Sequence, residues 1–399
     1  MPTFSLISLG EDLLLIHGRQ QVLDLAPALQ QLSSRTGQFG AMHWLEYFLD
    51  TARPLTKPPY LVLQVQHPKT ADPLHPDNIL AAALFFEYCV AGLRTGVFCT
   101  DDAVGFRTVI ALPEERGRFA ERAAAALLKN GAHIVLTTFE DLEGEESAHE
   151  PLPGMLLGYR HRVVGRMLTL APTYDETLSH LGRLTRRNLR YYRRRLVSHL
   201  DLNFIADARA DLTFSEFMRL NAASLNPVRR NRELWLRWRS SCRTAGGFLQ
   251  GLRTAEGKWL ALLGGWRHET MTVLHWQLNV EGYERDSIGI VMRSFFLEHE
   301  IALGARKMLM YGGTPHSIRY SFDEDSIADL LLCRPTLRSR ILRLLAQSLP
   351  PQSILARRNH LLQTLAVLPM AGYSRRLARL APSMRQSSSG GSPAGEITV

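Results

Sequence analysis

The side chains best suited to acid–base chemistry lie on a predicted strand over 271–279, just ahead of a predicted helix start. The odd-numbered residues share one face of that strand, and the face turns polar from His275 onward, through Gln277 and Asn279. The imidazole of His275 is the only one of these groups whose ordinary pKa lies near neutrality. His275 is therefore the candidate general base, and Gln277 could position a nucleophile. A face that is simply solvated at its end is the alternative.

The helix is predicted to begin at Ser287, where a polar segment gives way to an apolar one. Ser287 or Asp286 could cap its first turn, and Gly289 has no side chain to keep a ligand away from the backbone. The amides at a helix N-terminus bind phosphate-like anions without side-chain charge. The candidate ligand-binding residues are Ser287, Ile288, Gly289, Ile290 and Arg293. An ordinary helix start is the alternative.

A second predicted helix is dense in arginine. Seven arginines and no acid lie between Arg183 and Arg195, over an apolar stripe that includes Leu189 and Leu196. Like charges one turn apart repel, so such a surface favours an anionic ligand: coenzyme phosphates, a lipid-linked sugar phosphate or a tRNA backbone. The candidate anion-binding residues are Arg186, Arg187 and Arg190. A solvated basic face is the alternative.

The positive charge of the chain is concentrated at one end. The 399 residues carry a formal net charge of +9, and the segment from Arg334 to Val399 holds ten arginines, no lysine and one acid. The remaining residues therefore sum to zero charge. A general nucleic-acid-binding surface, which would make the folded body itself basic, is not expected.

The cysteines and the apolar runs limit the class of protein. Cys89, Cys99, Cys242 and Cys333 form no CxxC pair, so we expect reduced thiols and neither a metal site nor a disulfide framework. No apolar run approaches the roughly 20 residues of a membrane-spanning helix. The N-terminus has no basic stretch ahead of its apolar part and does not predict a secretory signal. The expected location is cytoplasmic.

Turn and charge signals divide the chain. Residues 1–150 and 151–333 are each predicted to form an α/β unit, separated by an acidic, proline-flanked loop. The second unit ends in a three-stranded meander, a helix and a returning strand. A basic helical extension over 334–382 and a disordered tail over 383–399 are expected to follow.

These segments resemble a known family. The run 184–196 resembles the arginine-rich helix of CelD-like acetyltransferases, and Ser287-Ile288-Gly289 occupies the place of their Ser-Pro-Gly helix start. Gly304 and the segment 311–313 are similar to further family elements, and the likeness covers about 155–345. The resemblance implies the CelD-like and Fem-like branch of the GNAT superfamily: tandem GNAT-like lobes, each a mixed sheet flanked by helices.

The resemblance also implies a function. It implies transfer of an acyl group, acetyl above all, from acyl-coenzyme A to an amine or hydroxyl of a polysaccharide or cell-envelope precursor. Acetyl-coenzyme A or another acyl-coenzyme A would be the co-substrate, with no metal. The alternatives are Fem-like aminoacyl transfer from tRNA, which needs a basic groove across a body that sums to zero charge, and a non-catalytic scaffold on a degenerate fold.

Two positions depart from the family pattern. Leu309 replaces an acidic residue of the last strand, and His316-Ser317 replaces a Tyr-Lys pair. By position, Tyr311 is the further candidate for substrate binding and His316 the further catalytic candidate. The departures imply a different substrate, shifted chemistry or no activity.

The extension carries its own pattern. Leucine and isoleucine recur at helical spacing with arginines between them, and Pro350-Pro351 divides the run. For the part from Ser353 to about Leu380, peripheral contact with an anionic membrane is predicted. Packing of the apolar stripe on the second lobe is the alternative.

Overall fold

The structure is a computed structural model. It describes residues 6–36, 45–51, 56–70, 72–90, 93–100, 108–140, 156–244, 246–310, 323–337, 339, 341 and 371–372. Tyr311, His316 and most of the predicted extension and tail lie outside these residues.

Strands and helices are interspersed along the chain. The strands are β1 (Leu6–Ser8), β2 (Leu13–His17), β3 (Thr56–Val65), β4 (Ile79–Val90), β5 (Leu93–Cys99), β6 (Val109–Ala111), β7 (Ile134–Glu140), β8 (Leu156–Thr169), β9 (Leu202–Ile205), β10 (Gly247–Thr254), β11 (Trp259–His268), β12 (Met271–Asn279), β13 (Lys307–Met310), β14 (Asp323–Cys333) and β15 (Ala371–Gly372). The α-helices are α1 (Arg19–Asp24), α2 (Ala26–Thr36), α3 (Leu45–Thr51), α4 (Arg116–Lys129), α5 (Tyr174–His180), α6 (Arg183–Leu200), α7 (Phe214–Ala222), α8 (Asn231–Arg243) and α9 (Ile288–Ala302). The predicted α/β class is confirmed.

The strands join in one continuous path. The order is β1-β2-β3-β4-β5-β7-β14-β8-β13-β12-β11-β10-β9, with β6 paired to β4 and β15 to β8. β14 lies between β7 and β8 and is antiparallel to both. Its Leu330 and Leu332 join the core beneath α4. A late strand therefore completes the sheet of the first half, while the division at residue 150 stays a prediction.

The first half buries both faces of its sheet, as the continuous apolar runs require. In β3, Leu61 and Leu63 pack into the core with α1 and α2, whereas Val62 packs toward α4 on the other face. The α4 side is lined by alanines such as Ala123 and Ala124, whose small side chains let the helix approach the sheet closely.

The second half is built around the meander β10-β11-β12. On one face α6 and α9 pack together and bury Leu189, Leu196 and Phe296. On the opposite face α7 and α8 cover Leu262 and Trp276. The predicted meander, helix and returning strand are all present. Thr173 and Glu176 form a capping box at the start of α5.

Candidate active site

The polar end of β12 begins at a β-bulge. Gly264 pairs with Trp276 and the next residue, Gly265, pairs with Leu274, so His275 is the extra residue of β12. The prediction that all odd-numbered residues share one face is therefore wrong, because a bulge reverses strand parity. Val273 packs into the core of the first half, whereas Gln277 faces α9.

The bulge also marks a change in strand pairing. β12 pairs in parallel with β13 from Met271 to Leu274, opposite Lys307 to Met310, and the described pairing stops there. Beyond that point β12 continues for five residues, through Asn279, alongside β11.

A hydrogen-bonded network joins this part of β12 to α9. Arg293 Nε donates to Gln277 Oε1 at 2.6 Å. Gln277 Nε2 in turn donates to the Gly289 carbonyl at 3.1 Å and to Asn279 Oδ1 at 2.9 Å. The structure thus brings together Gln277, Gly289 and Arg293, which the sequence singled out separately. It adds Asn279, which the sequence placed only on the polar face.

The first turn of α9 is open. Ser287 adopts a left-handed conformation with φ of 51° and makes no side-chain capping bond. The prediction that Ser287 or Asp286 caps the helix is wrong, because Asp286 instead pairs with Arg195 of α6 at 3.1 Å. The Ser287 carbonyl accepts from the amides of Ile290 and Val291. The amides of Ile288 and Gly289 have no protein acceptor within the described residues, so they can donate to an anion.

Gly289 lies directly against the amide side chains of β12. A Cβ at this position would stand 2.9 Å from Asn279 Nδ2 and 3.2 Å from Gln277 Nε2. A side chain here would push on both groups of the network. Glycine is therefore needed for packing as well as for the predicted approach of a ligand.

His275 has an environment unlike that of a free histidine. Its ring lies against Trp266, with the centroids 4.6 Å apart. Burial, with a smaller contribution from the positive charge of Arg237, lowers the pKa of His275 from 6.5 to about 3. The imidazole is therefore neutral at pH 7 and a weak base, which argues for a positioning role.

We expect the pKa of His275 to make stability depend on pH. Because the unfolded chain takes up a proton that the buried imidazole does not, stability is complete above about pH 6.5 and falls as pH drops toward 3. Between pH 7 and pH 5 the free energy of unfolding should fall by about 2 kcal/mol from this residue alone. Urea unfolding of the wild type and of His275→Gln at several pH values measures the difference. Equal pH slopes in the two proteins would contradict it.

The arginines of α6 differ in their partners and in their exposure to solvent. Arg190 pairs with Asp175 at 3.2 Å, and Arg193 pairs with Glu298 of α9. Arg186 donates to the Ser179 carbonyl at 3.3 Å, and Arg187 is exposed. Acids of other elements therefore offset part of the charge of α6, while the binding of an anion by Arg186, Arg187 and Arg190 stays a prediction.

A polar contact that sequence reasoning missed lies between α5, α6 and α9. Tyr174 Oη and Ser294 Oγ are 2.6 Å apart, and the Arg193 guanidinium stacks over Phe295 at 4.0 Å. These partners are more than a hundred residues apart along the chain, and no local spacing relates them.

The departure at Leu309 has a structural counterpart. Leu309 is 3% exposed and packs in the same cluster as Trp266 and Val273. A carboxylate at this position would be buried among apolar side chains at a large cost. Leucine is therefore the residue that this core accepts.

No group of histidine, cysteine or acidic residues in the described part of the chain could hold a metal ion. Within the same residues, no helix is long and apolar enough to cross a bilayer. Burial raises the pKa of the Cys242 thiol to about 11, so this cysteine is protonated at neutral pH.

No protein-family model matches this sequence, and no curated protein matches it. Similar solved structures include that of L-PGS from Bacillus licheniformis, at 12% identity and a TM-score of 0.44, over 85% of this chain and 96% of that one. FemX is 8% identical with a TM-score of 0.47, over 76% and 98%. A tandem GNAT protein from the clavulanic acid biosynthesis pathway is 12% identical with a TM-score of 0.38, over 83% and 98%. These are likenesses of fold only.

Proposed function

We propose that this protein is a cytoplasmic acyltransferase that moves an acyl group, acetyl first of all, from acyl-coenzyme A to an amine or hydroxyl acceptor. The observation that carries the proposal is the open first turn of α9 beside the network of Gln277, Asn279 and Arg293. This site lies within the second unit, 151–333, which we propose to be a GNAT-like lobe.

The amides of Ile288 and Gly289 would bind the pyrophosphate of the coenzyme, with Arg293 adding a positive charge. The thioester would lie along β12 beyond its pairing with β13. There, backbone donors could stabilise the oxyanion that forms when the acceptor attacks the carbonyl. With the pKa of His275 near 3, we assign the acceptor's proton to His316 and a positioning role to His275 and Gln277.

For the acceptor, we propose a saccharide or envelope precursor, lipid-linked or free, held in part by Arg186, Arg187, Arg190 and Tyr311. Transfer from aminoacyl-tRNA is the weaker alternative, because the body of the chain carries no net charge. A scaffold without activity is favoured by one observation, the apolar burial of Leu309.

Calorimetric titration with acetyl-coenzyme A tests the proposal, followed by an assay of thiol release with and without acceptors. We expect binding, and roughly 10- to 100-fold weaker binding for Arg293→Ala, since a hydrogen bond to a charged group contributes about 1.5–3 kcal/mol. Arg285→Ala, which removes an exposed arginine near the same helix start, is the matched control and should change affinity much less. Binding without thiol release would support the scaffold, and absence of binding would refute the proposal.

A further inference from the structure

The outward face of α6 combines exposed apolar side chains with arginine. Leu184, Tyr191 and Val197 are 54%, 50% and 42% exposed, respectively. Leu184 and Tyr191 are seven residues apart and therefore lie two turns apart on the same side of the helix. Large apolar side chains exposed to this extent beside polar residues are typical of a surface that binds a partner or a membrane.

A row of arginines follows the same face. Arg183, Arg187, Arg190 and Arg194 recur at steps of four, three and four residues, and all four are exposed. No acid occurs in residues 183–200. The acids of neighbouring elements reach Arg190, Arg193 and Arg195.

The charge of three arginines of this row is therefore not neutralised by an ion pair among the described residues. Arg183, Arg187 and Arg194 have no acidic partner anywhere in the described part of the chain. On the inner side, Leu189 and Leu196 are each 1% exposed and anchor the helix to the core. The basic, apolar face is thus presented in a fixed orientation.

We propose that this face of α6 binds the surface of an anionic lipid bilayer, with the helix axis parallel to the membrane plane. Leu184 and Tyr191 on one side of the arginine row, and Val197 on its other side, would reach the boundary between headgroups and acyl chains from the two edges of this face, with the Tyr191 hydroxyl toward water. The free arginines would pair with lipid phosphates and with the negative surface potential. The 18 residues of α6 span about 27 Å, enough to cover several headgroups.

The apolar members of the face favour a bilayer over nucleic acid. Single-stranded nucleic acids are held by cations together with aromatic stacking and duplexes mainly by cations, so the aliphatic side chains of Leu184 and Val197 gain more from a bilayer than from either contact. The inference rests on α6 alone and does not require the proposed acyl transfer.

Sedimentation of the full-length protein with phosphatidylcholine vesicles, with and without phosphatidylglycerol, tests the proposal. We expect the wild type to bind the anionic vesicles and to be released by salt. Arg187→Ala with Arg194→Ala should weaken binding roughly 20- to 30-fold, since each arginine near the surface contributes about a fivefold factor. Leu184→Ser with Val197→Ser should weaken it several-fold while leaving the charge unchanged.

Arg229→Ala with Arg230→Ala is the matched control, because it removes two exposed arginines just before α8, on the opposite face of the sheet. Thermal unfolding confirms that each variant is folded, and every variant keeps the same C-terminal segment. Retention of wild-type binding by both α6 variants would overturn the proposal. The proposal would also be overturned if the wild type did not bind the vesicles but bound tRNA through Arg187 and Arg194.

Discussion

Replacing Glu300 by alanine should lower the free energy of unfolding by about 3–5 kcal/mol, the cost of breaking a buried ion pair from one side. The Glu300 side chain is fully buried on α9 and accepts two hydrogen bonds from Arg267, at 2.6 and 2.8 Å. It also accepts from Thr272 at 2.8 Å and from Gln250 at 3.0 Å. The variant would leave the partly buried Arg267 guanidinium without its carboxylate, and the buried side chains of Thr272 and Gln250 without this acceptor.

Chemical denaturation of the two proteins measures this loss. Glu298→Ala, two residues earlier on the same helix, is the matched control. Its carboxylate is 47% exposed and pairs with Arg193, so we expect a loss below about 1 kcal/mol. A similar, small loss for both variants would show that the Glu300 network does not hold α9 on the meander.

Replacing Gly289 by valine should weaken binding of acetyl-coenzyme A by at least roughly 100-fold, the loss of two or more charge-assisted hydrogen bonds. The new Cβ would meet Asn279 Nδ2 at 2.9 Å, and the branched methyl groups would displace Gln277 and cover the open amides. Calorimetry with the coenzyme measures the loss, and thermal unfolding separates it from a failure to fold.

Gly182→Val is the matched control. Gly182 precedes α6 with φ of −56°, and no atom would lie within 4 Å of a Cβ there. This variant should bind the coenzyme as the wild type does. If Gly289→Val folds and binds with unchanged affinity, the coenzyme does not use the first turn of α9.

The elements of the candidate site and part of their arrangement follow from the local sequence. The polar end of β12 and the open turn of α9 are separated by a short connection, so their proximity follows from local chain geometry. Local patterns therefore suffice to predict Gln277, Gly289 and Arg293 as site residues, and the structure joins them by hydrogen bonds. The α/β class was predictable for the same reason, because strand and helix periodicities are local properties.

The directions of the side chains and the pairing of the charges depend instead on long-range contacts. The bulge at His275 reverses the parity of β12, because Gly264 and Gly265 on the neighbouring strand pair across it. Asp175, Asp286 and Glu298 pair with Arg190, Arg195 and Arg193, and among the described residues Arg183, Arg187 and Arg194 have no acidic partner. Likewise, β14 inserts between β7 and β8, where its apolar residues complete a core built mostly from the first half. Each of these outcomes depends on contacts between residues distant in sequence, whose free energy no local pattern encodes.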